Sequence, residues 1–208
     1  NRVFFPGGRA PGPGEVFRCP DQAETLAAIA DSRGEAFYRG PIAARIAAGS
    51  AAEGGVLSDA DLAAHTADWV APLAVDYRGV VLHEIPPNGQ GIAALVALGI
   101  LRHFDLGSFP VDSVDSLHLQ IEAMKSAFAE VFRHVADDRC MMVPPEDLLR
   151  PEALAAQAAA IRLDRAAAPC AGPPAAGGTV YLTAADASGR MVSFIQSNYL
   201  GFGSGVVV

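Results

Sequence analysis

The chain has 208 residues, 51% of them hydrophobic, and carries a formal net charge of −8. A substantial core is therefore expected, and the acidic balance argues against nucleic-acid binding, which needs clustered lysine and arginine. No apolar run reaches the ~18 residues of a membrane span. Neither the five histidines nor Cys19, Cys140 and Cys170 have metal-ligand spacing. We expect neither a metal nor a cofactor, and the compartment stays open between cytoplasm and periplasm.

Capping residues and apolar periodicity predict a series of helices before residue 166. Two of these helices begin after Pro20 and after Ser58, and Asp61 is the reciprocal capping residue of the second. The others cover 34–48, 89–104, 113–135 and 151–165. Residues 70–85 alternate like strands around Asp76-Tyr77-Arg78-Gly79, which predicts a hairpin.

The predicted helix over 113–135 carries one continuous apolar stripe, which we expect to face the core. The stripe consists of Val114, Leu117, Ile121, Met124, Phe128, Val131 and Val135. His118 and Glu122 lie one turn apart on one side of this helix, and we interpret that pair as a structural contact.

The segment 166–178 is rich in alanine, proline and glycine, and it ends in two glycines directly before Thr179. Two strands are predicted after it, over 179–185 and 190–198. A threonine freed by cleavage of the preceding bond carries nucleophile and base on one residue, since its α-amine can take the proton of its hydroxyl. Thr179 is therefore the candidate nucleophile and Gly178–Thr179 the candidate processing site. The alternative from this local pattern is a strand that simply begins after a linker.

Several segments, in order along the chain, resemble γ-glutamyltranspeptidases. They are 34–43, 55–62, 77–79, 86–91, 117–125, 179–186, 189–193, 196–199 and 202–207. The members of this family are N-terminal-nucleophile enzymes that cleave one precursor into a large and a small subunit at the nucleophilic threonine. The resemblance puts that residue at Thr179.

The resemblance implies an α+β fold, the four-layer αββα sandwich of N-terminal-nucleophile hydrolases. In that fold, 1–165 is the mostly helical C-terminal part of the large subunit, 166–178 a flexible processing linker, and 179–208 the start of the small subunit, a β-hairpin. The sequence is expected to be an internal piece of a longer precursor. The implied reaction is hydrolysis or transfer of a γ-glutamyl group from a small-molecule donor such as glutathione, and a homo-oligomer is left open.

The resemblance also assigns residues that support the nucleophile or bind substrate. Ser197 falls where the family has a hydroxyl residue that hydrogen-bonds the nucleophile. The family's substrate-contacting asparagine aligns with Tyr199, while Asn198 stands one place early, and a shift of one residue along a strand changes the face. Val180 and Tyr181 replace the threonine and histidine of the commonest family pattern. These differences put strict γ-glutamyl specificity in question.

Two alternatives remain open. One is an amidase on the same scaffold with a different acyl group, such as a cephalosporin-type acylase or a poly-γ-glutamate enzyme. The other is a non-catalytic assembly module in which Thr179 is inert. The resemblance places the oxyanion donors and the arginine for the substrate carboxylate outside this sequence, so the isolated chain is expected to be inactive.

Overall fold

The computed structural model of the protein describes residues 3–168 and 179–197. The helices are α1 (Pro20–Asp31), α2 (Glu35–Tyr38), α3 (Pro41–Ala52), α4 (Asp59–Ala64), α5 (Ile92–Leu101), α6 (Val114–His134) and α7 (Pro151–Ala160). The strands are β1 (Leu73–Tyr77), β2 (Val80–Glu84), β3 (Thr179–Ala185) and β4 (Met191–Ser197), and short 3-10 turns occupy Pro6–Gly8, Leu106–Ser108, Asp138–Cys140 and Pro145–Leu149. Within these ranges, no helix is both long enough and apolar enough to cross a membrane.

The chain divides into two compact units. One combines Asn1–Ala67 with Ala175–Val208, and the other is the continuous segment Asp68–Pro174. The continuous unit contains the hairpin β1–β2, and the other unit contains the hairpin β3–β4. The predicted boundaries of the large subunit, the linker and the small subunit stay a prediction.

Helix α5 forms the centre of the continuous unit. Its sequence is apolar all round, and a helix of that kind is buried on every side. Leu95, Val96 and Ile100 are each 0% exposed, and the helix contacts β1, α6 and α7. At Gly99 a Cβ atom would lie 2.6 Å from the Cδ1 atom of Leu154, so a larger residue would displace the Leu154 side chain where α7 packs on α5.

The face that α6 turns to the core differs from the predicted one. Its buried residues are Ser116, Leu119, Glu122, Ala123, Ala127 and Val131. Of the predicted stripe, Val131 is buried and Phe128 and Val135 pack at the edge of the core. The other four are exposed, namely Val114, Leu117, Ile121 and Met124. Alanines 123 and 127 explain the difference, because small residues let α6 lie close against the bulky side chains of α5.

The single helix predicted over 34–48 is wrong, because the chain forms α2 and α3 with a break at Arg39-Gly40. Pro41 begins α3, where its missing N–H costs nothing. The residue before a proline is disfavoured in the α conformation, and Gly40 is extended, with φ −121° and ψ −161°. The proline therefore ends one helix and begins the next.

Two local predictions are confirmed. The Ser58 hydroxyl accepts from the Asp61 N–H at 3.2 Å, and the Asp61 carboxylate accepts from the Ser58 N–H at 2.9 Å, which is a complete capping box. Arg78 and Gly79 close the β1–β2 hairpin with φ 55° and 84°. Two consecutive positive φ values are the geometry that joins twisted antiparallel strands most tightly.

Candidate functional site

The β3–β4 hairpin carries the candidate nucleophile at its open end. The strands pair antiparallel, with Thr179 opposite Ser197 and Ala185 opposite Met191. Directly opposite residues of an antiparallel pair share one face, with Cβ atoms about 4.5–5.5 Å apart. The register thus brings together the two positions that the sequence assigned to the nucleophile and its hydroxyl partner.

Asp186 organises the turn at the closed end of this hairpin. Its Oδ1 atom accepts from the Ser188 hydroxyl at 2.6 Å and from the N–H groups of Ser188 and Arg190 at 2.9 and 3.1 Å, and its Oδ2 atom accepts from Arg190 Nε at 2.7 Å. The hydrogen bond from Ser188, followed by those from Arg190, holds the pKa of Asp186 below its ordinary value. Gly189 supplies the positive φ, 83°, that the turn needs. The turn opposes a register slip, which would break the pairing of Thr179 with Ser197.

The two faces of the hairpin differ in polarity. By strand alternation, the face of the Thr179–Ser197 pair also holds Tyr181, Thr183, Ala185, Met191, Ser193 and Ile195. The opposite face holds Val180, Leu182, Ala184, Val192, Phe194 and Gln196. On the first face, the hydroxyls of Tyr181 and Ser193 are hydrogen-bonded at 2.8 Å. Hydroxyl groups therefore extend along the face that begins at the candidate nucleophile.

The predicted site residues are placed unequally. Thr179 and Ser197 lie in paired strands, and Ser197 is exposed. Gly178, Asn198 and Tyr199 lie outside the described residues. The roles assigned to all five residues, Thr179 and Ser197 included, stay predictions.

A second group of polar residues, on α6, holds the chain that follows α7. The Glu122 side chain is only 4% exposed, and its Oε1 atom lies 2.7 Å from Lys125 Nζ. Its Oε2 atom accepts from the Ala167 N–H at 3.0 Å, and Lys125 Nζ donates to the Ala167 carbonyl at 2.7 Å. Both backbone polar groups of Ala167 are thus bound by one ion pair, which we call the α6 clamp.

His118 extends the same contact one turn earlier. Its Nε2 atom lies 2.7 Å from the carbonyl oxygen of Arg162 and donates to it. Burial raises the pKa of Glu122, but the hydrogen bonds from Lys125 and Ala167 outweigh burial and bring that pKa below its ordinary value. The clamp therefore contains a carboxylate, because the charged form is the favoured one.

The sequence analysis identified two of the three side chains in this group. His118 and Glu122 were interpreted as a structural contact, and Lys125 was missed. Positions 118, 122 and 125 are spaced by four and three, so they share one helix face, and that spacing was the available signal. The partner Ala167 could not be found in this way, because it is distant in sequence and contributes only backbone atoms.

No group of three or more histidine, cysteine, aspartate or glutamate side chains within 3–168 and 179–197 is arranged to hold a metal ion. Cys19 and Cys140 are both free thiols. Asp61 serves local structure in the capping box of α4.

The whole chain is similar to proteins of one known family. Residues 1–208 match the profile of the family described as γ-glutamyltranspeptidase. Over 208 residues the chain is 41% identical to an oxamate amidohydrolase proenzyme of Klebsiella pneumoniae, covering 100% of this chain and 39% of that protein. A glutathione hydrolase-like proenzyme of Bacillus subtilis is 35% identical over 204 residues, 98% of this chain and 38% of its own length. The chain thus spans less than two fifths of these relatives.

Solved structures agree. The cephalosporin acylase from Bacillus halodurans superposes with a TM-score of 0.85 at 48% identity, covering 99% of this chain and 37% of that one. The γ-glutamyltranspeptidase of Helicobacter pylori gives a TM-score of 0.71 at 25% identity over 80% of this chain and 48% of its own. The α+β fold class of N-terminal-nucleophile hydrolases is therefore confirmed, and the relatives named as proenzymes fit a precursor that yields two subunits. The chain belongs to the γ-glutamyltranspeptidase family.

Proposed function

We propose that the full-length protein is an amidohydrolase that cuts itself at Gly178–Thr179 and then uses Thr179 as its nucleophile. The observation that carries this proposal is the position of Thr179. It is the first residue of β3, it pairs with Ser197, and it follows two glycines in a chain of this family. A strand that ends in a free N-terminus at this point presents hydroxyl and amine together.

The self-cleavage is an N-to-O acyl shift followed by hydrolysis. The Thr179 hydroxyl oxygen attacks the carbonyl carbon of Gly178, the C–N bond breaks, and an ester forms while the Thr179 nitrogen gains a proton. Water then hydrolyses the ester, which leaves a carboxylate on Gly178 and a free amine and hydroxyl on Thr179. Gly178 favours this step because no Cβ obstructs the turn of the peptide toward the hydroxyl.

Turnover repeats the same chemistry on an external amide. The Thr179 hydroxyl attacks the acyl carbon while its proton passes to the Thr179 α-amine. The leaving amine takes that proton as the C–N bond breaks, and an acyl-threonine ester remains. Water, or an amine acceptor in a transfer reaction, releases the acyl group. Ser197 supports the nucleophile by a hydrogen bond between the two hydroxyls.

We expect Ser197→Ala to lower kcat of the mature full-length enzyme by up to about tenfold, since one such hydrogen bond contributes about 1.4 kcal/mol or less. Ser197→Thr keeps the hydroxyl and should stay within about twofold of wild type, given that reactivity depends on that group. The measurement is steady-state hydrolysis of a chromogenic amide by each purified variant. Equal kcat values for all three proteins would remove Ser197 from the mechanism.

The first candidate donor is a γ-glutamyl amide of the glutathione type, which the family membership supports. The second is an amide with a different acyl group, and two observations favour it. Tyr181, bonded to Ser193, occupies the position of the histidine in the commonest family pattern. In addition, one relative is named an oxamate amidohydrolase and one solved neighbour a cephalosporin acylase.

A panel of donors separates these candidates. We expect the mature full-length enzyme to prefer γ-glutamyl-p-nitroanilide over glutaryl-p-nitroanilide by less than about tenfold. In the family pattern, an asparagine at position 199 loses its hydrogen-bond partner when a glutaryl donor binds, and such a loss can lower kcat/KM for the wrong donor by about 10⁴-fold. Tyr199 has no side-chain amide, so this penalty is missing. Tyr199→Asn should raise the preference for the γ-glutamyl donor over the glutaryl donor. The measurement is kcat/KM for hydrolysis of both anilides and for release of ammonia from oxamate.

If wild type discriminates as sharply as Tyr199→Asn, Tyr199 does not set specificity. Turnover of oxamate without turnover of γ-glutamyl-p-nitroanilide would reject the first candidate in favour of the second.

A further inference from the structure

Helix α6 carries a second apolar surface, on a side that does not face α5. We call this surface the outer stripe, and it consists of Val114, Leu117, Ile121, Met124 and Phe132. Each of these side chains is between 40% and 83% exposed. Their spacings of three, four, three and eight residues place all of them on one side of the helix, over about 27 Å of its length. Phe128 fills the longest spacing, and its ring stacks on that of Phe132 with the centroids 5.7 Å apart.

The other two sides of α6 already have neighbours. Leu119 belongs to the core that α6 forms with α5, and it points about 200° away from Leu117 because each residue of a helix turns by about 100°. The polar side holds His118 and the α6 clamp, which bind backbone groups of the segment 162–167. A helix that is covered on two sides and apolar on the third is typical of the interior of a layered protein.

A row of uncovered large apolar side chains is unusual for the surface of a soluble protein. The solvent side of a surface helix is normally charged or polar. Contiguous exposed apolar patches of more than a few hundred Å² mark interaction sites. The outer stripe contains no charged or polar residue. The surface that covers it should therefore be apolar as well, since a polar group buried there would lose its hydrogen bonds to water.

The area of the outer stripe favours a segment of the same polypeptide over a second copy of the protein. A single row of side chains exposes on the order of a few hundred Å². A specific dimer buries about 800 Å² on each partner. Within one polypeptide, packing does not cost the translational and rotational freedom of a separate partner, so a smaller apolar surface is sufficient.

The lengths of the relatives supply such a segment. The solved acylase superposes on 99% of this chain with 37% of its own, and the amidohydrolase matches over 39% of its length. In both proteins, most of the polypeptide therefore lies outside the region that resembles this chain.

We propose that the outer stripe of α6 is the surface on which the part of the precursor outside residues 1–208 packs, through an apolar and uncharged face. In the full-length protein, α6 is then an interior helix with a neighbour on each of its three sides. This inference concerns packing alone, so it does not depend on the proposed reaction.

The test compares the rate of thiol labelling of Ile121→Cys in the full-length protein and in the 208-residue chain. Mass spectrometry assigns the label to position 121, because the chain has three other cysteines. In the 208-residue chain the thiol should react rapidly, since Ile121 is 57% exposed. In the full-length protein it should react at least about tenfold more slowly, because a covered side chain reacts only after local opening.

Two further cysteine variants serve as controls on the same helix. Ala129→Cys places a thiol at an exposed position on the polar side of α6, and it should react at similar rates in both proteins. Leu119→Cys should react slowly in both, because Leu119 lies in the core, and slow labelling shows that the 208-residue chain is folded.

A second readout needs only the full-length protein. Ile121→Lys should lower its Tm more than Ala129→Lys does, because the first variant places a charge in a covered apolar contact and the second does not. Equal Tm values for the two variants would contradict the proposal.

Three labelling results would also overturn it. The first is an Ile121→Cys thiol that reacts as fast in the full-length protein as in the 208-residue chain, or that is slowed no more than Ala129→Cys. The second is slow labelling of Ile121→Cys in the 208-residue chain itself, which would mean that residues of this chain cover the stripe. The third is protection that disappears on dilution of the full-length protein, which would assign the stripe to a second copy.

Discussion

Thr179→Ala should leave the full-length precursor as one uncut chain without amidase activity. The alanine has no oxygen to attack the Gly178 carbonyl, and the uncut chain has no free α-amine to act as base. We expect a loss of at least about 10³-fold in kcat, as for removal of a nucleophile in other hydrolases. Denaturing gels show whether one band or two are present, and a chromogenic amide measures the activity.

The matched control is Thr183→Ala, which removes a hydroxyl from the same strand and the same face of the hairpin. It should cleave and turn over normally. Thr179→Ser keeps a hydroxyl and should still cleave. A Thr179→Ala precursor that nevertheless splits before residue 179 would disprove the assignment of the nucleophile.

Leu119→Ala should destabilise the 208-residue chain by about 2–5 kcal/mol, the usual range for removing a leucine from a packed core. Leu119 is 1% exposed and lies where α6 contributes to the core with α5. Leu117→Ala is the control on the same helix, and because Leu117 is 42% exposed it should cost about 1 kcal/mol or less. The free energy of unfolding is measured by urea denaturation.

This pair of variants also decides between two descriptions of α6. If Leu117→Ala costs as much as Leu119→Ala, the apolar stripe predicted from the sequence faces the core after all. The expected difference follows instead from the alanines at 123 and 127, which let two helices approach.

Local rules of sequence predicted the parts of the fold that depend on few residues. Ser58 and Asp61 satisfy each other within one helical turn, so their spacing was sufficient. In the same way, the turn residues Arg78-Gly79 and the turn at Asp186 determine their hairpins without distant partners. The pairing of Thr179 with Ser197 follows from the second of these turns, because register is counted from the turn outward.

The errors arose where a distant partner decides the outcome. By hydrophobicity alone, Leu117, Ile121 and Met124 are better core candidates than alanine. The face of α6 that packs is determined by the shape of α5, and the periodicity of the α6 sequence carries no information about that shape. In the same way, Glu122 could be seen as a buried partner of its own helix, but not as a ligand for the backbone of Ala167. The family is shown by a match over the whole chain, whereas the roles of Asn198 and Tyr199 in choosing a donor stay predictions.

The continuous unit Asp68–Pro174 also bears on the order of events during synthesis. It is made as one uninterrupted stretch, whereas the unit containing Thr179 combines residues from both ends of the chain. Contacts between distant segments form later than local ones because their loop must close first. On the ribosome, Thr179 emerges after the whole continuous unit has been translated. If the full-length protein cuts itself as proposed, the unit that contains Thr179 should therefore assemble only after the central helices have folded, so that cutting follows the folding of the continuous unit.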